Sequence, residues 1–210
     1  MHDDENTAVA ATLGMLRRRG GRLVEVRHTG ERNLRFRQGS DEYVFDPNRA
    51  FTDAGAEATL RDLGPFSKEA HGAVRAFAEA FLAAIDLESL REGPRLLVTV
   101  HNNEVGSYSA RSYDHGGEHE RDAERVRPKR RTDPDDFFFV TEPRHYDLLQ
   151  GGSYHVVLQD NDVVTDDGSL SVWAARQELP YINVEAQHGH LRQQIDMLDF
   201  LNERLDVPGV

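Results

Sequence analysis

An α/β layered fold, in one domain, is what the sequence predicts, with a mixed and mainly parallel sheet flanked by helices. Three observations lead there. Short apolar runs of strand length recur along the chain, namely "RLLVTVH", "FFFVTE", "YHVVLQ" and "YINVE". Stretches with apolar residues at three- and four-residue steps fall between them. The length of 210 residues suits one well-buried core.

Taken in order, residues 1–21 read as an N-terminal helical segment that stops at Gly20-Gly21. Residues 22–210 form the α/β domain. "RLVEVRH" alternates Leu23, Val24 and Val26 with charges and reads as a strand running into His28. "NLRFRQ" and "EYVFDP" flank the turn "GSD" as a hairpin that delivers the chain to Asn48 and Arg49. Val74, Phe77, Ala78, Phe81, Leu82 and Ile85 set one face of a helix within 67–91, with Ser67 as N-cap and Gly93-Pro94 as the stop. The strand "RLLVTVH" then ends at His101. From 113 to 135 dense charge of both signs, with glycine and proline, predicts a long mobile surface loop, His115 and His119 included. "GSLSVWAARQEL" reads as a helix between the last two strands, and Leu191, Ile195, Leu198, Leu201 and Leu205 mark a closing amphipathic helix.

Composition narrows the function classes. Twenty-five Lys and Arg against 37 Asp and Glu give a formal net charge of -12, which repels phosphate backbones and anionic lipid. Nucleic acid and membrane surfaces are therefore poor partners. The chain has no cysteine, so disulfides, thiolate metal sites and cysteine nucleophiles are excluded together. A metal here must rest on His, Asp or Glu. The acidic start and the absence of a long apolar run predict a soluble cytoplasmic protein, or a mature secreted or periplasmic form already stripped of its signal. Oligomeric state leaves no trace in the sequence.

Three strands end in a reactive side chain: "EVRH" at His28, "LLVTVH" at His101 and "YINVE" at Glu185. Ligands in open α/β sheets gather beyond the carboxyl ends of strands, so these residues are expected to converge. "HTGE" places His28 and Glu31 three residues apart, and His101 completes a two-histidine, one-carboxylate set suited to zinc with an open position. Asn48 with Arg49 pairs an amide with a guanidinium, a geometry that grips a carboxylate. His188 and His190, separated by a glycine, read as capping or auxiliary residues beside Glu185.

The ordered set of H-x-x-E, Asn-Arg, the strand-end histidine in "VTVHNNEVGSYS" and "GSLSVWAARQELPYINVE" resembles the zinc carboxypeptidase superfamily. Its aspartoacylase-like and succinylglutamate-desuccinylase-like deacylases are the branches concerned, and the likeness runs from residue 22 onward. The "RHTG" stretch is also similar to the N-formylglutamate amidohydrolase branch. The resemblance implies that His28, Glu31 and His101 bind zinc and that Glu185 is the general base acting on a water at the metal. It further implies that Asn48 and Arg49 hold a substrate carboxylate, that Arg32 polarises the scissile carbonyl, and that Asn102 joins the substrate-binding set. The expected activity is a zinc-dependent amidohydrolase that cleaves an amide next to a free carboxylate, in an N-acyl amino acid or an acidic or peptidoglycan-derived peptide. The competing expectation is a non-catalytic carboxylate-binding module on the same fold.

Overall fold

A computed structural model describes residues 2–92, 96–106 and 108–205. The chain folds as one α/β domain around a five-stranded mixed sheet. Helix α1 (Asn6–Arg19) comes first, then a separate antiparallel hairpin of β1 (Leu34–Gln38) and β2 (Asp41–Phe45), then α2 (Asp53–Leu63), α3 (Lys68–Ile85) and α4 (Leu87–Glu92). The sheet is built from β3 (Leu97–Asn103), β4 (Ala123–Arg127), β5 (Phe137–Val140), β6 (His155–Gln159) and β7 (Tyr181–Gln187). Helix α5 (Pro143–Leu149) joins β5 to β6, α6 (Leu170–Arg176) precedes β7, and α7 (Leu191–Leu205) closes the chain.

The strand order is β3-β7-β5-β6-β4. β3 runs parallel to β7 and β5 parallel to β6, while β5 against β7 and β4 against β6 are antiparallel, so the sheet is mixed in equal parts. Side chains alternate across a sheet, and the two faces differ sharply. Val100, Phe138, Val140, Val156, Leu158, Ile182, Val184 and Ala186 form one face and pack under α1, α5 and α7 with Ala8, Ala11, Leu149, Met197, Leu198 and Leu201. On the other face two apolar clusters lie apart. One gathers Leu97 and Tyr181 with α2, α3, α6 and the hairpin; the other gathers Phe137, Phe139 and Val157. Between them stands a polar window of Thr99, His101 and Asn103 on β3 beside Asn183, Glu185 and Gln187 on β7, matched pair by pair in register.

Several elements depart from the sequence reading. Residues 22–28 form no strand: Val26 packs against the cluster of Leu97 and Tyr181, and among the described residues no neighbouring strand pairs with this backbone. The 113–135 segment carries 3-10 turns and the edge strand β4, whose main chain pairs with β6 while Glu124 and Arg127 are exposed and Arg125 lies over the Tyr146 ring. Such charges are what an edge strand tolerates, and they masked it in the sequence. Helices α2 and α5 add to the elements expected, and α1 belongs to the main core. Helix α3 starts at its expected cap, with Ser67 Oγ accepting from the Ala70 N–H; its expected stop at Gly93-Pro94 lies outside the described residues.

Candidate metal centre and the cavity around it

The polar window opens into a cavity of about 1280 Å³. Its metal-competent corner is made by the first residues of the chain. The first turn of helix α1 is docked beside the carboxyl ends of β3 and β7: Asn102 Oδ1 accepts the otherwise unpaired Ala8 N–H at 2.8 Å, and Thr7 Oγ1 accepts the Gly189 N–H at 3.0 Å. Asn102 Nδ2 in turn donates to Gln194 Oε1, tying α7 into the same joint. This docking carries Glu5 and His2 to His101.

Glu5 lies at the centre. Its carboxylate meets His2 Nδ1 at 2.7 Å, His101 Nδ1 at 2.9 Å and the His2 N–H at 2.8 Å. His2, Glu5 and His101 are all buried, and one ligating atom from each lies within 4.8 Å of the others. Asp46, just before the Asn48-Arg49 turn, bonds His2 Nε2 at 2.8 Å. That leaves Nδ1 as the His2 nitrogen turned toward Glu5, an arrangement like that in which a second carboxylate orients a metal-binding histidine. Arg32 stands beside the pair, 3.8 Å from Glu5 and 3.7 Å from Asp46.

Burial acts against the charge on Glu5, but the His101 and His2 imidazoles overcome it and hold the carboxyl well below its usual range. Asp46 shows the same opposition, with the His2 hydrogen bond prevailing over burial to bring it to about 2. For His2, burial is outweighed by the bonds to Asp46 and Glu5, and its pKa is raised. Burial pushes His101 down to about 4, which keeps the imidazole neutral as metal ligation requires.

Glu185 sits opposite His101 in the β3–β7 register and lines the same cavity. Burial, reinforced by the Glu5 charge, pushes its carboxyl up to about 7. Asn183 Nδ2 donates to Glu185 Oε1 at 2.9 Å, and the Thr99 hydroxyl donates to Asn183 Oδ1 at 3.0 Å. Thr99 has spent its proton on Asn183, so the Tyr181 hydroxyl, 2.6 Å away, is the donor to Thr99. This chain fixes the Asn183 amide with its nitrogen toward the carboxylate.

The residues singled out in the sequence divide accordingly. His101, Glu185, Asn48, Arg49, Arg32 and His188 line one cavity. Asn102 borders it too, although its side chain is spent on Ala8 and Gln194. His28 and Glu31 are not brought to His101: both are exposed, His28 Nε2 bonds the Arg35 carbonyl at 3.0 Å, and Glu31 pairs with Arg35 at 2.9 Å. Among the described residues the cluster able to hold a metal is therefore His2, Glu5 and His101, with no contribution from His28 or Glu31, because the turn of chain before α1 carries His2 and Glu5 to His101. His190 lies away from the cavity, 3.9 Å from Asp136 before α7, and Gly189 makes the turn between the two histidines with φ +89°. His115 pairs with Glu120 on the surface, whereas His119 reaches the cavity rim between Glu118 and Asp122. His2, Glu5, Asp46 and Asn183 escaped sequence reasoning.

Comparison of the chain with protein-family models, with curated proteins and with solved structures finds no match. Function must rest on this geometry. Among the described residues no helix is long and apolar enough to cross a membrane.

Proposed function

We propose that the chain is a metal-dependent amidohydrolase in which His2, Glu5 and His101 hold the ion and Glu185 is the general base. The observation that carries this reading is the adjacency of a buried two-histidine, one-carboxylate triad to a buried carboxyl whose pKa is pushed up to about 7. The donor set fits zinc: nitrogen and oxygen ligands, three in number, with Asp46 orienting one of them. Zinc bound there would supply a cation that lowers the pKa of a coordinated water to about 7 and polarises an amide carbonyl.

The chain's own residues account for the remaining work. Glu185 has one oxygen held by Asn183, leaving the other to take a proton from the attacking water and return it to the leaving amine. A base whose pKa lies near neutrality serves both transfers. Arg32, at the edge of the triad, is placed to favour negative charge developing on the carbonyl oxygen. Asn48 and Arg49, which follow Asp46 in a turn and line the cavity, would offer an amide and a guanidinium to a substrate carboxylate.

The test is elemental analysis of protein purified without chelator, joined to hydrolysis assays on N-acyl amino acids. One zinc per chain is expected, with turnover abolished and zinc retained in Glu185→Gln. Metal-free protein that binds small carboxylates and hydrolyses none would instead support the binding-module reading.

A further inference from the structure

Resting on the reading of the cavity as an acyl-hydrolase site, a second feature bears on what the clamp accepts. Arg49 does not face the cavity alone. Its Nη1 donates to Asp167 Oδ2, and Asp167 lines the same cavity. The pair shares its cavity with Tyr181 and Glu185.

Asp167 is held there by the fold. Gly168 has φ +79°, and a Cβ on it would stand 2.3 Å from the Arg49 carbonyl oxygen; a Cβ on Gly55 would stand 2.1 Å from Gly168 Cα. Only glycine at both positions lets the segment before α6 touch the Asn48-Arg49 turn and the start of α2. The Phe51 N–H donates to the Gly168 carbonyl at 3.0 Å, and Thr52 Oγ1 to Asp166 Oδ1 at 2.7 Å, closing the seam. Asp167 Oδ1 also accepts the Ser169 N–H at 2.9 Å. Each of its oxygens thus has one bond, and a carboxylate accepts about four in all. With both partners of the pair about 40% exposed, donors on Arg49 and acceptors on Asp167 remain open to a ligand (39% and 41%).

We propose that Arg49 and Asp167 together recognise a zwitterionic amino acid head, Asn48 and Arg49 taking its carboxylate and Asp167 its ammonium. A lone arginine clamp would accept any carboxylate. A guanidinium already faced by a fixed carboxylate favours a ligand that brings both charges. The lining agrees, because the other guanidinium in the cavity, Arg32, is likewise set between carboxylates, those of Glu5 and Asp46. The substrate class this implies carries its acyl group on a side-chain nitrogen, with the α-amino and α-carboxyl groups free. The cavity of about 1280 Å³ exceeds the roughly 300–1,000 Å³ of ordinary small-ligand pockets, which leaves room for that extension.

Calorimetric titration of the whole chain with norleucine and with N-acetylnorleucine, in which an acetyl group caps the nitrogen and removes its charge, tests this. Norleucine is expected to bind roughly tenfold more tightly, as one added charge-assisted contact implies. In Asp167→Asn that ratio should fall to about one through weaker norleucine binding, with N-acetylnorleucine unaffected. Equal or tighter binding of N-acetylnorleucine to the parent protein, an unchanged ratio in the variant, or no binding of either compound overturns the proposal. The hydrolase reading fails separately, through absence of zinc and of turnover on both N2-acetyl-lysine and N6-acetyl-lysine. If it holds, N6-acetyl-lysine should be the preferred isomer.

Discussion

Four H-x-x-E stretches occur in this chain, beginning at His2, His28, His101 and His115, and the fold uses the first two in opposite ways. His28 and Glu31 lie on the surface and bond Arg35. His2 and Glu5 have the same spacing but are buried against His101, with Asp46 behind. The motifs touch through Asp3, whose Oδ2 accepts the His28 and Gly30 N–H groups at 2.6 Å each, so the second stretch offers backbone to the first and no ligand. Spacing alone does not gather a set of potential ligands; a carrier element that takes the pair to a third donor and out of water does.

Substitutions at matched positions should break the symmetry of the two motifs most strongly. Glu5→Gln is expected to weaken zinc binding by at least about 100-fold, since each ligand carries a share of the ~10–16 kcal/mol that structural zinc sites supply. Competition with a chromogenic chelator measures it. Glu185→Gln should leave zinc in place and stabilise the metal-free protein. A carboxyl raised in the folded state costs stability that grows as pH rises from its unfolded value near 4.5 through about 7, and is constant above. At pH 8 the variant should therefore gain on the order of 3 kcal/mol in urea unfolding, and at pH 4 almost nothing. Asp46→Asn should cost about 10–100-fold in zinc affinity by loosening His2.

Protonation sharpens the contrast. The raised pKa of His2 means that this imidazole must lose its proton to ligate. Zinc binding near neutral pH should then release protons, seen as a dependence of the calorimetric heat on the ionisation enthalpy of the buffer, and affinity should fall as pH falls. Smallest of all, His28→Ala and Glu31→Gln should shift zinc affinity by less than about twofold, as exposed pairs with little energetic weight.

The fold was largely legible because strand length and apolar periodicity are local properties. β3, β5, β6, β7, α3, α6 and α7 each bury a face that their own residues spell out. β4 was hidden because an edge strand can be charged, and residues 22–28 misled because alternation without a neighbour makes no strand. At the site, His101 and Glu185 were readable as polar ends of apolar strands. His2 and Glu5 were not, since an acidic chain start looks like solvated surface until α1 is docked by Asn102 and Thr7. One signal was present: polar residues at alternate positions, Asn183, Glu185 and Gln187 beside Thr99, His101 and Asn103, mark a sheet face too polar for a core.

The most direct measurement is anomalous diffraction at the zinc edge from crystals of the zinc-loaded protein. A single peak within ligating distance of His2, Glu5 and His101, about 2.0–2.2 Å from their nitrogen and oxygen atoms, is the predicted result. A peak beside His28 and Glu31, or none within reach of Glu5, would contradict it.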